Sequence, residues 1–169
     1  MVERLSPAHA AEYRALMLKA YEQHPDAFTS TAAERAALPL RWWEARLADG
    51  LQTRDVVLGV RQAGALVGAV GVAFGTRQKT QHKSSLFGMY VAERARRQGH
   101  AERLLQAALE QAERRLGVRL IQLTVTQGNK AAQTLYERAG FIVFGIEPQA
   151  IALPEGYADK VYMWREVKG

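Results

Sequence analysis

The sequence contains no cysteine. Disulfide bonds, thiolate metal sites and a cysteine nucleophile are therefore all excluded. No apolar run approaches the ~20 residues that a membrane-spanning helix needs, and residues 1–5 lack the basic-then-apolar layout of a signal peptide. The four histidines (His9, His24, His82 and His100) show no spacing typical of metal ligands, so we expect no metal. These absences together predict a cytoplasmic protein with no membrane partner.

The balance of residue types is that of an ordinary globular protein. Of the 169 residues, 48% are hydrophobic and 24% are charged, which excludes a disordered chain. The sequence has no internal repeat and no glycine- and serine-rich linker, and its length fits one typical domain. We therefore predict a single domain over residues 1–169.

The chain is poor in acidic residues. It carries 23 lysines and arginines against 17 acidic residues, a net charge of +6. This excess favours an anionic partner: a nucleic acid, a membrane surface or a phosphorylated cofactor. A nucleic-acid surface would interleave aromatic and basic residues, but the cluster of Arg94, Arg96 and Arg97 has only Tyr90 nearby. We therefore expect no nucleic-acid partner.

Hydrophobic periodicity predicts alternating strands and helices. Strands are expected at residues 2–5, 55–61, 65–74, 84–91, 119–126, 141–146 and 157–167, with a loop at 147–157. Helices are expected at residues 8–24, 99–116 and 129–139, and a weaker helical pattern runs through 25–50 around Trp42 and Trp43. The apolar stripe of the longest helix is predicted to be core: Leu104, Leu105, Ala108, Leu109, Ala112 and Leu116.

The strand at 84–91, the helix at 99–116 and the strand at 119–126 form a βαβ unit. The two strands should be parallel neighbours in one sheet. With the flanking hairpins, this predicts an α/β (α+β) fold: a mixed sheet with helices on both faces.

The passage from the strand at 84–91 into the longest helix has the features of an anion site. The first N–H groups of a helix have no partner within the helix, and its dipole places about +0.5 charge there. Gly99 and Ala101 let a ligand approach the backbone, while Arg96 and Arg97 add charge. The same arginines could also form a solvated turn. Neither G-x-G-x-x-G nor G-x-x-x-x-G-K-[ST] occurs, which argues against a Rossmann turn and a P-loop.

Two segments resemble motifs of the GCN5-related N-acetyltransferases. The run Arg-Arg-Gln-Gly-His-Ala at 96–101 is similar to that family's [QR]-x-x-G-x-[GA] loop, which binds the pyrophosphate of acetyl-CoA. Residues 129–141 match N-x-x-A-x-x-x-Y-x-x-x-G-F, and residues 157–163 look like the family's last strand. Strand order and motif positions agree over nearly the whole chain.

The resemblance implies a mostly antiparallel sheet of six to seven strands and a cofactor site between the strands at 84–91 and 119–126. These strands would part at a bulge, where backbone groups of Met89 and Val91 would hold the pantetheine arm of acetyl-CoA. The residues implied in cofactor binding are Met89, Tyr90, Val91, Arg96, Arg97, Gln98, Gly99, His100, Ala101, Asn129, Ala132 and Tyr136.

The resemblance also implies direct attack of an amine on the thioester, with Tyr136 donating a proton to the departing thiolate. A phenol of pKa ~10 is protonated at neutral pH. Alternatively, Tyr136 is a core aromatic and Asn129 only an N-cap. A base that takes the proton of the amine is missing from the alternate positions before Val91, which are Met89, Phe87 and Ser85. Neither Ser85 nor the more distant His82 and Glu34 is a strong candidate.

The acceptor is expected to be a primary amine, with a slight preference for a small molecule. Trp42 and Trp43 are expected in the core or at a dimer contact, and the resemblance is compatible with a homodimer. Acyl groups other than acetyl stay open. The missing base keeps open a second interpretation, a sensor that binds acyl-CoA without turnover, and a nucleic-acid-binding domain is a weaker third.

Overall fold

The fold is built on one seven-stranded sheet. The computed structural model describes residues 1–167. The strands are β1 (Val2–Arg4), β2 (Asp55–Gln62), β3 (Ala65–Phe74), β4 (Lys83–Val91), β5 (Leu120–Thr126), β6 (Ile142–Leu153) and β7 (Gly156–Glu166). Their order across the sheet is β1-β2-β3-β4-β5-β7-β6. Every neighbouring pair is antiparallel except β4 and β5. The predicted mixed sheet and its parallel pair are confirmed.

Helices cover both faces of this sheet. They are α1 (Ala10–Gln23), α2 (Ala32–Ala36), α3 (Leu40–Arg46), α4 (His100–Arg114) and α5 (Lys130–Arg138). Short 3-10 turns occur at Pro7–His9, Pro25–Ala27 and Glu93–Ala95. No helix in residues 1–167 is long and apolar enough to cross a bilayer.

Two cores follow from the alternation of side chains along the strands. On β2, Val56 and Leu58 pack with α4 and α5, whereas Val57 packs with α1 and α3. Trp43 of α3 is fully buried in the second core. The weak helical pattern predicted for residues 25–50 therefore corresponds to two short helices that close one face of the sheet.

The prediction that the apolar stripe of α4 lies in the core is wrong for one residue. Leu104 and Leu109 are buried as expected, but Leu116 is 97% exposed. The helix ends at Arg114 and Gly117 adopts a φ of +85°. Because the chain leaves the helix before Leu116, the 3.6-residue periodicity no longer decides which way that side chain faces.

The predicted loop at 147–157 is also wrong. The strand β6 continues to Leu153 and pairs with β7, and a tight turn joins them. Pro148 interrupts a strand pattern, but β6 is an edge strand, where a missing N–H costs little. The irregularity between Glu147 and Ile151 includes Gln149 at φ +52°, and its N–H donates to Asp159 Oδ1 at 2.8 Å. The single domain over 1–169 stays a prediction, and Lys168 and Gly169 lie outside the described residues.

Candidate active site

The parallel strands β4 and β5 pair only over a short stretch. Their register contains three residue pairs, from Lys83 opposite Leu120 to Ser85 opposite Gln122. On the other side of β4, the register with β3 shifts between Ala69 and Gly71, so β4 carries one extra residue there. Such bulges bend a strand and end its pairing. The two strands are therefore unpaired beyond Ser85, as the resemblance implied.

Gly88 lies in this bulge and explains why it forms here. Its φ is +61°, a left-handed conformation that is strained for any residue with a Cβ atom. A Cβ at this position would meet no atom closer than 3.7 Å, the distance to Met17 Cε. Glycine is thus required by backbone conformation rather than by lack of space.

A cavity of about 280 Å³ lies at the gap between the two strands. It is lined by residues of β4 and β5, by α5 on one face of the sheet, and by α1, α2 and α3 on the other. The lining residues that carry polar or aromatic groups are Tyr13, Tyr21, Phe28, Thr29, Ser30, Arg35, Arg46, Phe87, Thr124, Thr126, Asn129, Tyr136 and Lys160.

The motif residues of α5 meet in this cavity. Asn129, Ala132 and Tyr136 all line it, because positions 129, 132 and 136 are spaced three and four apart on one helix face. Asn129 is also the N-cap of α5, since its Oδ1 accepts from the Ala132 N–H at 3.2 Å. Its predicted capping role is confirmed.

Tyr136 is 5% exposed and packs edge-on against Phe141, with ring centroids 5.9 Å apart. Burial raises the pKa of its phenol to about 12, because the charged form loses solvation. The hydroxyl is not among the sealed, unpartnered polar atoms of residues 1–167, which are Arg4 Nε and Trp43 Nε1. The side chain is therefore both a core aromatic and a protonated phenol at the cavity.

A second hollow, of about 450 Å³, lies at the start of α4 and is called the cradle here. Its lining is Val91, Ala95, Arg96, Arg97, Gly99, His100, Ala101 and Glu102. Arg97 has φ +61° and Gly99 has φ +78°, so the backbone turns sharply before the helix begins at His100. Gly99 is thus followed directly by the first helical residues, His100 to Glu102, whose N–H groups have no partner within the helix, as an anion site requires.

The strand end of β4 connects the cradle with the cavity. Met89 lines the cavity and Val91 lines the cradle, while Tyr90 between them points to the other face and its hydroxyl donates to Gln23 Oε1 at 3.0 Å. Of the three β4 residues implied in cofactor binding, Tyr90 is thus the one whose side chain is directed into the opposite core. Any role of Tyr90 would use its backbone.

The side chain of Arg96 is partly engaged by the protein itself. Its Nε donates to the Val91 carbonyl at 3.0 Å, and one terminal nitrogen lies 2.9 Å from His24 Nε2. The guanidinium therefore braces the end of β4 against the end of α1. Gln98, which was also implied in cofactor binding, does not line the cradle, and its carbonyl accepts from Arg103 at 2.9 Å.

Arg103 does not line the cradle but contacts two residues of the turn that forms it, and the sequence analysis missed it. A terminal guanidinium nitrogen of Arg103 lies 2.7 Å from His100 Nδ1, and the same nitrogen donates to the Gln98 carbonyl. Burial, and then the Arg103 charge, lower the pKa of His100, which favours a neutral imidazole there. The signal was available, because positions 100 and 103 are one helical turn apart.

No conventional base lines the cavity in the described part of the chain. Its lining includes no aspartate, glutamate or histidine. Glu34 instead completes a capping box with Thr31, and neither His82 nor Ser85 lines the cavity. The phenols of Tyr13 and Tyr21 also line the cavity. Burial raises the pKa of both, that of Tyr13 to about 12. Sequence reasoning missed both tyrosines because they lie outside any motif.

Comparison with known proteins agrees with this geometry. The family model described as "Acetyltransferase (GNAT) family" matches residues 14–141. A Haemophilus ducreyi protein named [ribosomal protein bS18]-alanine N-acetyltransferase is 33% identical over 85 residues, a match that spans 50% of this chain and 58% of that protein. Little more than half of that relative's length is therefore covered.

Two solved structures illustrate the shared fold. An acetyltransferase of the GNAT family from Streptococcus pneumoniae is 25% identical, with a TM-score of 0.89 over 99% of both chains. The yncA protein of Salmonella typhimurium, whose structure contains its cofactor acetyl-CoA, is 20% identical, with a TM-score of 0.80 over 100% of this chain and 94% of that one. The family match covers well over half of the sequence, and the chain therefore belongs to the acetyltransferase (GNAT) family.

Proposed function

We propose that this protein transfers an acetyl group from acetyl-CoA to a primary amine. The observation that carries the proposal is the bulge at Gly88, where β4 and β5 part and leave a gap between the cradle and the cavity with Tyr136. An elongated ligand with a phosphorylated end and an apolar arm matches such a layout.

In this proposal the cradle binds the pyrophosphate. The N–H groups at the start of α4 would donate to its oxygens, and Arg97 would add a formal charge. Gly99, His100 and Ala101 would contribute backbone rather than side-chain atoms. The backbone of Met89 and Val91 would hold the pantetheine arm, with Asn129 and Ala132 on its far side.

Tyr136 would act as the proton donor. The amine nitrogen forms a bond to the thioester carbon, the carbon–sulfur bond breaks, and the sulfur takes the proton of the phenol. The amine loses a proton to solvent, from which the phenolate is reprotonated. Burial keeps the phenol of Tyr136 protonated at neutral pH, which a proton donor requires.

The acceptor has two candidate classes. We propose a small-molecule amine, because the cavity is small, about 280 Å³, and residues of α1, α2, α3 and α5 contribute to its walls. A protein amino group is the second candidate, favoured by the relative named as a ribosomal-protein alanine N-acetyltransferase. A cytoplasmic location and a homodimer stay predictions.

Calorimetry with acetyl-CoA tests the cofactor site, and thiol release tests turnover. We expect Arg97→Ala to weaken acetyl-CoA binding about tenfold, as expected for one charge-assisted contact. Arg94→Ala is the matched control, because Arg94 is exposed on the same turn but does not line the cradle. Binding without thiol release in the presence of a broad panel of amines would instead support an acyl-CoA sensor. If acetyl-CoA did not bind, the proposal would be wrong.

A further inference from the structure

Two arginines line the cavity without an acidic partner. Arg35 of α2 and Arg46 at the end of α3 are both half-buried at the wall on the α1–α3 face of the sheet. Within residues 1–167, neither guanidinium has a carboxylate oxygen within 4.0 Å, since the ion pairs there involve Arg61 and Arg114. Half-buried cations that lack a counter-charge are costly unless something else binds them.

Aromatic rings hold these guanidinium groups in place. The Trp42 ring lies 4.6 Å from the Arg35 guanidinium carbon and 5.1 Å from that of Arg46. The Arg46 guanidinium also lies 4.4 Å from the Phe87 ring, directly before the bulge residue Gly88. Stacking occupies the flat face of a guanidinium and leaves its in-plane N–H groups available as donors. The aromatic rings thus fix the positions of both guanidinium groups and leave their N–H groups available to a ligand.

All the charged side chains that line the cavity in the described residues are cationic. Lys160 adds a third cation to its lining, with its Nζ donating to Thr29 Oγ1 at 2.6 Å. No aspartate or glutamate lines the cavity in the described residues. A polycationic acceptor would meet only repulsion there, whereas an anionic group would be attracted.

We propose that the acceptor is a small amine that also carries a carboxylate, and that Arg46 and Arg35 bind that carboxylate. A carboxylate matches the planar fork of a guanidinium, which donates two parallel hydrogen bonds to it. The position of Arg46 on Phe87 places the bound carboxylate beside the bulge. This inference rests on the proposed acetyl transfer and narrows its acceptor.

Steady-state kinetics with matched acceptors tests the proposal. Glycine and β-alanine are each compared with their neutral amides, and spermidine, aminoethyl phosphate and a short peptide with a free N-terminus complete the panel. Rates are corrected for the fraction of free amine, because the amide and the acid differ in amine pKa. We expect kcat/KM for the carboxylate-bearing member of each pair to be at least tenfold higher.

Variants separate recognition from structure. Arg46→Gln should lower kcat/KM for the amino acid about 10- to 100-fold, as expected for a charged hydrogen-bond donor, and for the amide less than threefold. Arg35→Gln should act in the same direction. Arg41→Gln is the control, because Arg41 is an exposed arginine of α3 that does not line the cavity. Equal losses for acid and amide would mean that the arginines only stack on the rings, and would overturn the proposal.

A binding measurement keeps the two proposals distinguishable. Calorimetry of the amino acid against protein saturated with CoA should show binding that Arg46→Gln weakens by the same factor, whether or not thiol is released. Carboxylate binding without turnover would refute the proposed acetyl transfer but not the carboxylate assignment. A preference for spermidine, the peptide or the aminoethyl phosphate would refute the carboxylate assignment and leave acetyl transfer intact.

Discussion

Replacing Tyr136 by phenylalanine removes one hydroxyl group and leaves the rest of the packing. The ring is 5% exposed and keeps its edge-on contact with Phe141 at 5.9 Å. Burial is the cause of the raised pKa of the phenol, with no hydrogen-bond contribution from the described residues. The substitution therefore breaks no internal hydrogen bond, and we expect the free energy of unfolding to change by less than about 1 kcal/mol.

The effect on turnover should be much larger. General acid catalysis typically contributes about 10²–10⁴-fold, so Tyr136→Phe should lower kcat by at least about 100-fold at saturating acetyl-CoA and amine. Acetyl-CoA affinity should stay within about threefold, because the hydroxyl is not part of the cradle. The assay is release of CoA thiol, with calorimetry for the affinity.

Tyr157→Phe is the matched control for this prediction, since Tyr157 is 67% exposed and does not line the cavity. It should leave kcat unchanged. If Tyr136→Phe left kcat within threefold of the original protein, Tyr136 would be a packing residue and the proton donor would have to be solvent or another phenol. Tyr13 would then be the next candidate, because it lines the same cavity and has a pKa of about 12.

Three further predictions concern pH, an ion pair and the bulge. Because no carboxylate or imidazole lines the cavity in the described residues, kcat/KM should rise with the free-base fraction of the acceptor; one shared enzyme pKa for two acceptors of different pKa would contradict this. Hydrogen bonds from Arg61 lower the pKa of Glu12, so the pair stabilises the fold at neutral pH and loses this contribution as pH falls below about 4. In urea titrations Arg61→Gln should cost about 1 kcal/mol at pH 7 and progressively less as the pH falls through the lowered pKa of Glu12, and a loss that does not change with pH would argue against the pair. Gly88→Ala should cost about 1–2 kcal/mol through its φ of +61°, and an unchanged Tm would show that the bulge tolerates a side chain.

Local patterns predicted the elements that a short stretch of sequence specifies by itself. The hairpin after β2 is an example: Ala63 and Gly64 both have positive φ, at +51° and +81°, as a two-residue turn between strands demands. The end of β6 could not be predicted in this way. Its residues around Pro148 are exposed and lack alternation, and only pairing with β7 makes them a strand. An exposed edge strand is stabilised by pairing with its neighbour rather than by burial of one face, so short-range periodicity carries little information about it.

The same distinction divides the candidate site. The cradle is formed by adjacent residues, because a strand end followed by a helix start supplies N–H groups, glycine and charge within one short segment, and such a segment can be read as a motif. The proposed acceptor wall is formed by Tyr13, Tyr21, Arg35 and Arg46, which lie on three different helices. Each of these residues is ordinary on its own helix: a buried aromatic or a surface arginine. Their shared chemistry appears only when α2 and α3 close over the sheet and the Trp42 ring contacts both guanidinium groups. In the proposed function, cofactor recognition is thus encoded locally and acceptor recognition through tertiary packing, which is why motifs suggest the cofactor while the choice of amine has to be inferred from the charges of the folded cavity.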